Sequence, residues 1–160
     1  GRVDDGNLHE ILLRILDTLG DGSGDLIGFS EAVTDNTIFI ACDTIVVLGD
    51  KIIEKPKNET DAMRMLRELS GNTHTVISGL TVATPGKRIT SHRKTEVKFG
   101  KLSEEEIAYY VAKYKPLDKA GAYGIQEWIG YIGVTAINGS YFNVMGLPVQ
   151  RLSEELKTYL

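Results

Sequence analysis

Asp43 is an ionisable residue set inside an otherwise apolar run, and Lys55 follows it twelve residues later. Within residues 36–56, NTIFIACDTIVVLGDKIIEKP, positions 38–42 and 45–48 are apolar and only Asp43 and Thr44 interrupt them. A continuous rather than alternating run suits a strand covered on both faces. A carboxylate in such a strand must be compensated by a cation, a metal or several hydrogen-bond donors. The plain alternative is a structural carboxylate accepting backbone N–H bonds at a bend. A Gly49-Asp50 turn and a short strand at 51–53 make a hairpin that folds Lys55 back towards Asp43. The second chemical stretch is residues 116–126, PLDKAGAYGIQ. There Asp118 and Lys119 stand beside Ala120, Gly121, Ala122 and Gly124, small residues that let backbone approach a ligand closely. Gln126 ends the stretch with a side chain that both donates and accepts.

The elements that must position these residues can be read around them. Asn58 is a suitable N-cap with Asp61 three residues on, so a helix is expected from 59 to 70, ending at Gly71, with Ala62, Met65, Leu66 and Leu69 buried. Residues 73–83 and 89–99 read as a long antiparallel hairpin about the turn Pro85-Gly86-Lys87. Ser103 and Glu106 form a capping box for a helix that stops before Pro116. Residues 128–137 are apolar and β-rich, Asn138-Gly139 is a turn signal, and Pro148 is placed at N1 of a last helix. At the other end, Leu8, Ile11, Leu12, Ile15, Leu16 and Leu19 predict an amphipathic helix, and GDGSGD at 20–25 a flexible loop that is not a P-loop. The expected fold class is α/β to α+β, a single domain over 1–160 with a mixed twisted sheet and flanking helices.

Composition narrows the function. The chain has 160 residues, 42% of them hydrophobic and 25% charged, with a formal charge of -4. That balance gives no electrostatic footprint for a nucleic-acid polymer or an anionic membrane, so a phosphate-bearing partner must be held by a few local groups. Cys42 is the single cysteine and lies in an apolar run, which reads as a packed thiol in a reducing compartment. His9, His74 and His92 are isolated from one another, so a zinc site is not expected. No stretch reaches the ~18 apolar residues that span a bilayer, and GRVDDGNL lacks a signal-peptide pattern; a cytoplasmic location is the expectation.

Taken in order, Asp43-Thr44, Lys55-Pro56, LRELSGNTH, SEEEI, PLDKAGAYGIQ and SYFNVMGLP resemble the Maf family of nucleoside triphosphate pyrophosphatases over about residues 36–160. The resemblance implies an inosine triphosphatase-like fold and an enzyme of nucleotide-pool house-cleaning. It implies cleavage of a nucleoside triphosphate between its α- and β-phosphates with a divalent cation, Mg²⁺ or Mn²⁺. Asp43 falls on the aspartate of the family's A-D-T motif and would be proton acceptor and metal contact, with Cys42 in place of the alanine. Lys55 falls on the phosphate-contacting K-P lysine, and Lys119, within the matching stretch PLDKAGAYGIQ, is a further candidate for substrate binding. Thr44 and Gln126 fall on positions similar to those of the dTTP/UTP branch. A homodimer is left open, and neither membrane nor nucleic acid is implied as a partner. Gln126 then either reads a pyrimidine edge or satisfies loop backbone as a buried amide. The family's opening Ser-x-x-Arg phosphate loop has no counterpart in residues 1–35, where Arg14 lacks a correctly spaced serine. The alternative reading is a non-catalytic nucleotide-binding module.

Overall fold

Two helices begin where local side-chain chemistry starts them. Asn58 Oδ1 accepts from the Asp61 amide at 2.9 Å, and α1 runs Glu59–Leu69. Ser103 and Glu106 close both arms of a capping box ahead of α2, Glu104–Tyr114, which stops at Lys115 in the left-handed region. The computed structural model describes residues 38–159. The expected helix at 8–19, the glycine-rich loop at 20–25, His9 and Arg14 lie outside the described residues.

The strands are β1, Phe39–Leu48; β2, Lys51–Ile53; β3, Thr73–Thr84; β4, Lys87–Phe99; and β5, Val134–Asn138. They form one sheet in the order β2-β1-β3-β4-β5. Each described pairing is antiparallel, where a mixed sheet was expected. The β3–β4 hairpin pairs Thr84 with Lys87 across Pro85-Gly86, as the turn signal predicts. Residues 128–137 are not one β segment: Trp128–Gly133 is a short helix, α3, that passes directly into β5. Tyr141–Met145 is a further short helix, α4, and Val149–Leu156 is α5, with Pro148 at its N-cap rather than at N1.

The apolar run of β1 is two-sided only in part. Val46 joins Ile53, Leu66, Leu69, Val76, Phe99 and Tyr110 in the main core under α1 and α2. Val47 packs with Ile77, and with the partly buried Ile45 and Ile52, on the opposite face. Both faces are therefore apolar at 45–47, which is why the pattern does not alternate. Ile38, Phe39 and Ile40 are instead 42%, 38% and 42% exposed, so full coverage does not extend to the start of the strand.

His74 opens β3 inside the core. Its Nε2 is 2.7 Å from the Tyr123 hydroxyl, its ring packs edge-on against Phe99 and Tyr123, and its Nδ1 has no partner among the described residues. Burial pulls its pKa down to about 4. The unfolded chain, with an ordinary imidazole, therefore binds the proton that the folded chain refuses, and stability falls as pH drops from about 6.5 towards 4. Between pH 7 and pH 5 the loss from this one group is about 2 kcal/mol. Urea denaturation of wild type and His74→Gln at the two pH values checks it: the substitution should shrink the pH-dependent loss by that amount.

Candidate active site

β2 pairs with β1 only at Val46, Val47 and Leu48, so towards Phe39 that edge of β1 has no strand partner among the described residues. At this level Cys42, Asp43 and Thr44 line a cavity of about 420 Å³. Lys55 reaches it from the segment just after β2. Asp118, Lys119, Ala120, Tyr123, Gly124 and Gln126 form the wall contributed by the small-residue loop. Val144, Met145 and Gly146, at the end of α4, form another, and the buried Val46 and Val76 add apolar surface. The fold thus gathers Asp43, Thr44, Lys55, Lys119 and Gln126 into one concavity from positions up to 83 residues apart.

Asp43 is half-buried, and its Oδ1 accepts from the Thr44 amide at 2.8 Å. It makes no ion pair with a described residue. Lys55 is exposed and likewise unpaired among the described residues, so hairpin geometry brings the two to one cavity without joining them. Lys119 is held differently. Its Nζ donates to Asp118 Oδ1 at 3.0 Å and lies 3.5 Å from Glu127 Oε1. Burial alone would lower the Lys119 ammonium, but the bond to Asp118 and the charge of Glu127 outweigh it and raise its pKa, so it stays charged. The Lys119 ammonium in turn holds the Asp118 carboxyl below the usual range, and Lys55 adds to the effect. Two cations, Lys55 and Lys119, and two carboxylates, Asp43 and Asp118, therefore line the cavity.

Behind Lys119, the Tyr110 hydroxyl donates to Glu127 and accepts from the Gly124 amide at 3.0 Å. Burial first, and then the bond to Glu127, push the Tyr110 phenol far above its ordinary value, so it is a neutral strut. Gln126 is exposed: its side-chain amide has no described partner, and only its backbone carbonyl is used, by the Tyr131 hydroxyl at 2.9 Å. It is not a buried amide satisfying loop backbone.

Cys42 is the packed thiol expected from its apolar setting. Its Sγ donates to the Gly146 carbonyl at 3.0 Å, and burial first, then the Asp43 charge, push it up to about 11. It ties β1 to the end of α4 and is no nucleophile at neutral pH. A further tie is fully buried Asn143, whose Nδ2 donates to the Val76 and Arg93 carbonyls, each at 3.3 Å, and to Thr95 Oγ1 at 3.0 Å. Sequence reasoning passed over Ser78, Tyr110, Glu127 and Asn143. Only Asn143 lay in a stretch singled out there, SYFNVMGLP.

Among the described residues no three His, Cys, Asp or Glu side chains converge as a metal cage. The donor set fits a cation of another kind. Mg²⁺ keeps most of its waters and takes one or two carboxylates together with substrate phosphates, and Asp43, open on the cavity with no ion pair to a described residue, is such a carboxylate.

The family model described as Maf-like protein matches residues 25–159. The chain is 59% identical over 129 residues to a dTTP/UTP pyrophosphatase of Phocaeicola vulgatus, covering 81% of this chain and 67% of the relative. It is 51% identical over 131 residues to one of Parabacteroides distasonis, covering 82% and 68%, and 52% identical over 120 residues to one of Bacteroides thetaiotaomicron, covering 75% and 62%. The matched stretch spans about two thirds of the length of these relatives.

Proposed function

The chain belongs to the Maf family, and we propose that it is a nucleoside triphosphate pyrophosphatase acting on dTTP or UTP. Water opens the anhydride between the α- and β-phosphates, giving the monophosphate and pyrophosphate. The observation that carries this reading is the convergence of Asp43, Thr44, Lys55, Lys119 and Gln126 on one cavity. The shared name of the relatives supports the substrate class.

Phosphoryl chemistry asks a protein for position and charge compensation more than for covalent help. Lys55 and Lys119 bind and neutralise the phosphates, with Lys119 aimed by Asp118 and Glu127. The Asp43 carboxylate takes the proton of the attacking water. Asp43 would also hold a divalent cation, Mg²⁺ or Mn²⁺, which when bound offsets the charge that develops on the phosphate oxygens. Gln126 reads the base. The natural setting for such an enzyme is the cytoplasm, where the nucleotide pool lies.

Pyrophosphate release measured over a panel of nucleoside triphosphates tests the reading, and Gln126→Ala sharpens it. The variant should lose about 1 to 3 kcal/mol of transition-state stabilisation for dTTP and UTP, the usual cost of leaving a buried partner unsatisfied. Non-cognate bases should lose less. An equal loss for every base would leave Gln126 as a support of the loop, and the dTTP/UTP assignment would fall. The rival reading is a nucleotide-binding module without catalysis. Tight dTTP binding by calorimetry, with no pyrophosphate at any metal concentration, would replace the enzyme reading.

A further inference from the structure

Thr44 lines the cavity, and its proton is already committed. Its Oγ1 is 2.7 Å from Ser78 Oγ and 3.4 Å from the Gly146 carbonyl, while Ser78 Oγ lies 3.0 Å from the Asn143 carbonyl. Each hydroxyl has one proton to give. If Ser78 donates to Asn143, Thr44 donates to Ser78. If Ser78 donates to Thr44, the Thr44 proton goes to Gly146. In both arrangements the Thr44 oxygen keeps only lone pairs for the cavity. Ser78 is fully buried and pairs directly opposite Thr44 in the sheet, so the β1–β3 register keeps the two hydroxyls side by side.

We infer that Ser78 is a positioning residue that fixes Thr44 as a pure acceptor, and that this makes the site select uracil and thymine over cytosine. The inference rests on the pyrimidine triphosphatase reading above and adds how the base is chosen. Uracil and thymine present an N3–H donor between two carbonyls; cytosine presents a bare N3 beside an amino group. A fixed acceptor at Thr44 suits N3–H and repels the lone pair of cytosine N3, while the Gln126 amide on the same cavity can donate to a flanking carbonyl. A hydroxyl free to rotate would serve both bases.

The test is the UTP-to-CTP ratio of kcat/KM, from pyrophosphate release, in wild type, Ser78→Ala and Thr44→Val. Wild type should prefer UTP. Ser78→Ala removes the 2.7 Å partner and leaves the Thr44 proton only the long 3.4 Å contact to the Gly146 carbonyl, from which it can turn to the cavity, so the ratio should fall about tenfold, the equivalent of one hydrogen bond, with CTP gaining in absolute terms. Thr44→Val should weaken UTP without a matching loss on CTP. That variant carries the test alone if Ser78→Ala does not fold. A merely structural role for Ser78 would lower both substrates equally, and an unchanged ratio in folded, active variants overturns the inference while leaving the enzyme reading in place. If no pyrophosphate is released, the ratio of calorimetric dissociation constants for UTP and CTP takes over as the readout. Binding of neither nucleotide would end both proposals.

Discussion

Asp43→Asn is expected to lower pyrophosphate release at least about a hundredfold while leaving the melting temperature close to that of wild type. The fold should persist because the asparagine Oδ1 can still accept from the Thr44 amide, the one hydrogen bond that the Asp43 side chain makes among the described residues. No described ion pair is lost either. What goes is chemical: an amide cannot take a proton from water, and it offers a cation a dipole in place of a charge. The same substitution gives an independent readout at Cys42. The Asp43 charge is the second cause, after burial, of that thiol's pKa of about 11. Thiol titration of the variant should therefore show a lower value, which confirms that the charge was removed from the cavity. Turnover that survives in a variant with a shifted thiol would take Asp43 out of the reaction.

What was legible in the sequence follows from how local the signals are. Asn58 with Asp61, and Ser103 with Glu106, bond side chain to backbone within one turn, so their helices could be placed from four residues each. The hairpin at Pro85-Gly86 is of the same kind. Trp128–Gly133 failed for the opposite reason. Its six residues carry no side-chain cap, its β-branched and aromatic content reads as strand, and the packing that sets Ile129 in the core is not a local signal. The chemical residues stood out where they broke a pattern: Asp43 in an apolar run, Lys119 and Gln126 at the edges of a small-residue loop. Ser78 did not, because one small hydroxyl in TVISGLTVAT is unremarkable until its strand partner is known to be Thr44. Glu127 was hidden by its neighbour, since a glutamate opening a helix is ordinary and only the fold sets it against Lys119 and Tyr110.

That same short helix packs against the loop that carries Gln126, and Gly130→Ala should break the arrangement. Gly130 donates its amide to the Glu127 carbonyl at 2.9 Å, and a Cβ built on it would sit 1.8 Å from the Ile125 carbonyl oxygen and 2.6 Å from its carbon. These are backbone atoms, which cannot rotate aside as a side chain would. Ile125 and Ile129 are both buried in the main core, so the loop has no room to retreat. Overpacking against backbone should cost about 3 kcal/mol or more, well beyond the ~1 kcal/mol that alanine gains over glycine in a helix. Gly86 is the control. A Cβ there meets nothing within 4 Å, and Gly86→Ala should stay within about 0.5 kcal/mol of wild type in the same urea titration. If Gly130→Ala folds at all, the Ile125 carbonyl has moved, and Gln126 and Glu127, which follow it, have moved with it. The folded fraction should then show weaker discrimination among bases as well as weaker turnover. A Gly130→Ala protein with the stability and base preference of wild type would mean that the loop carrying Gln126 is not pinned by this helix.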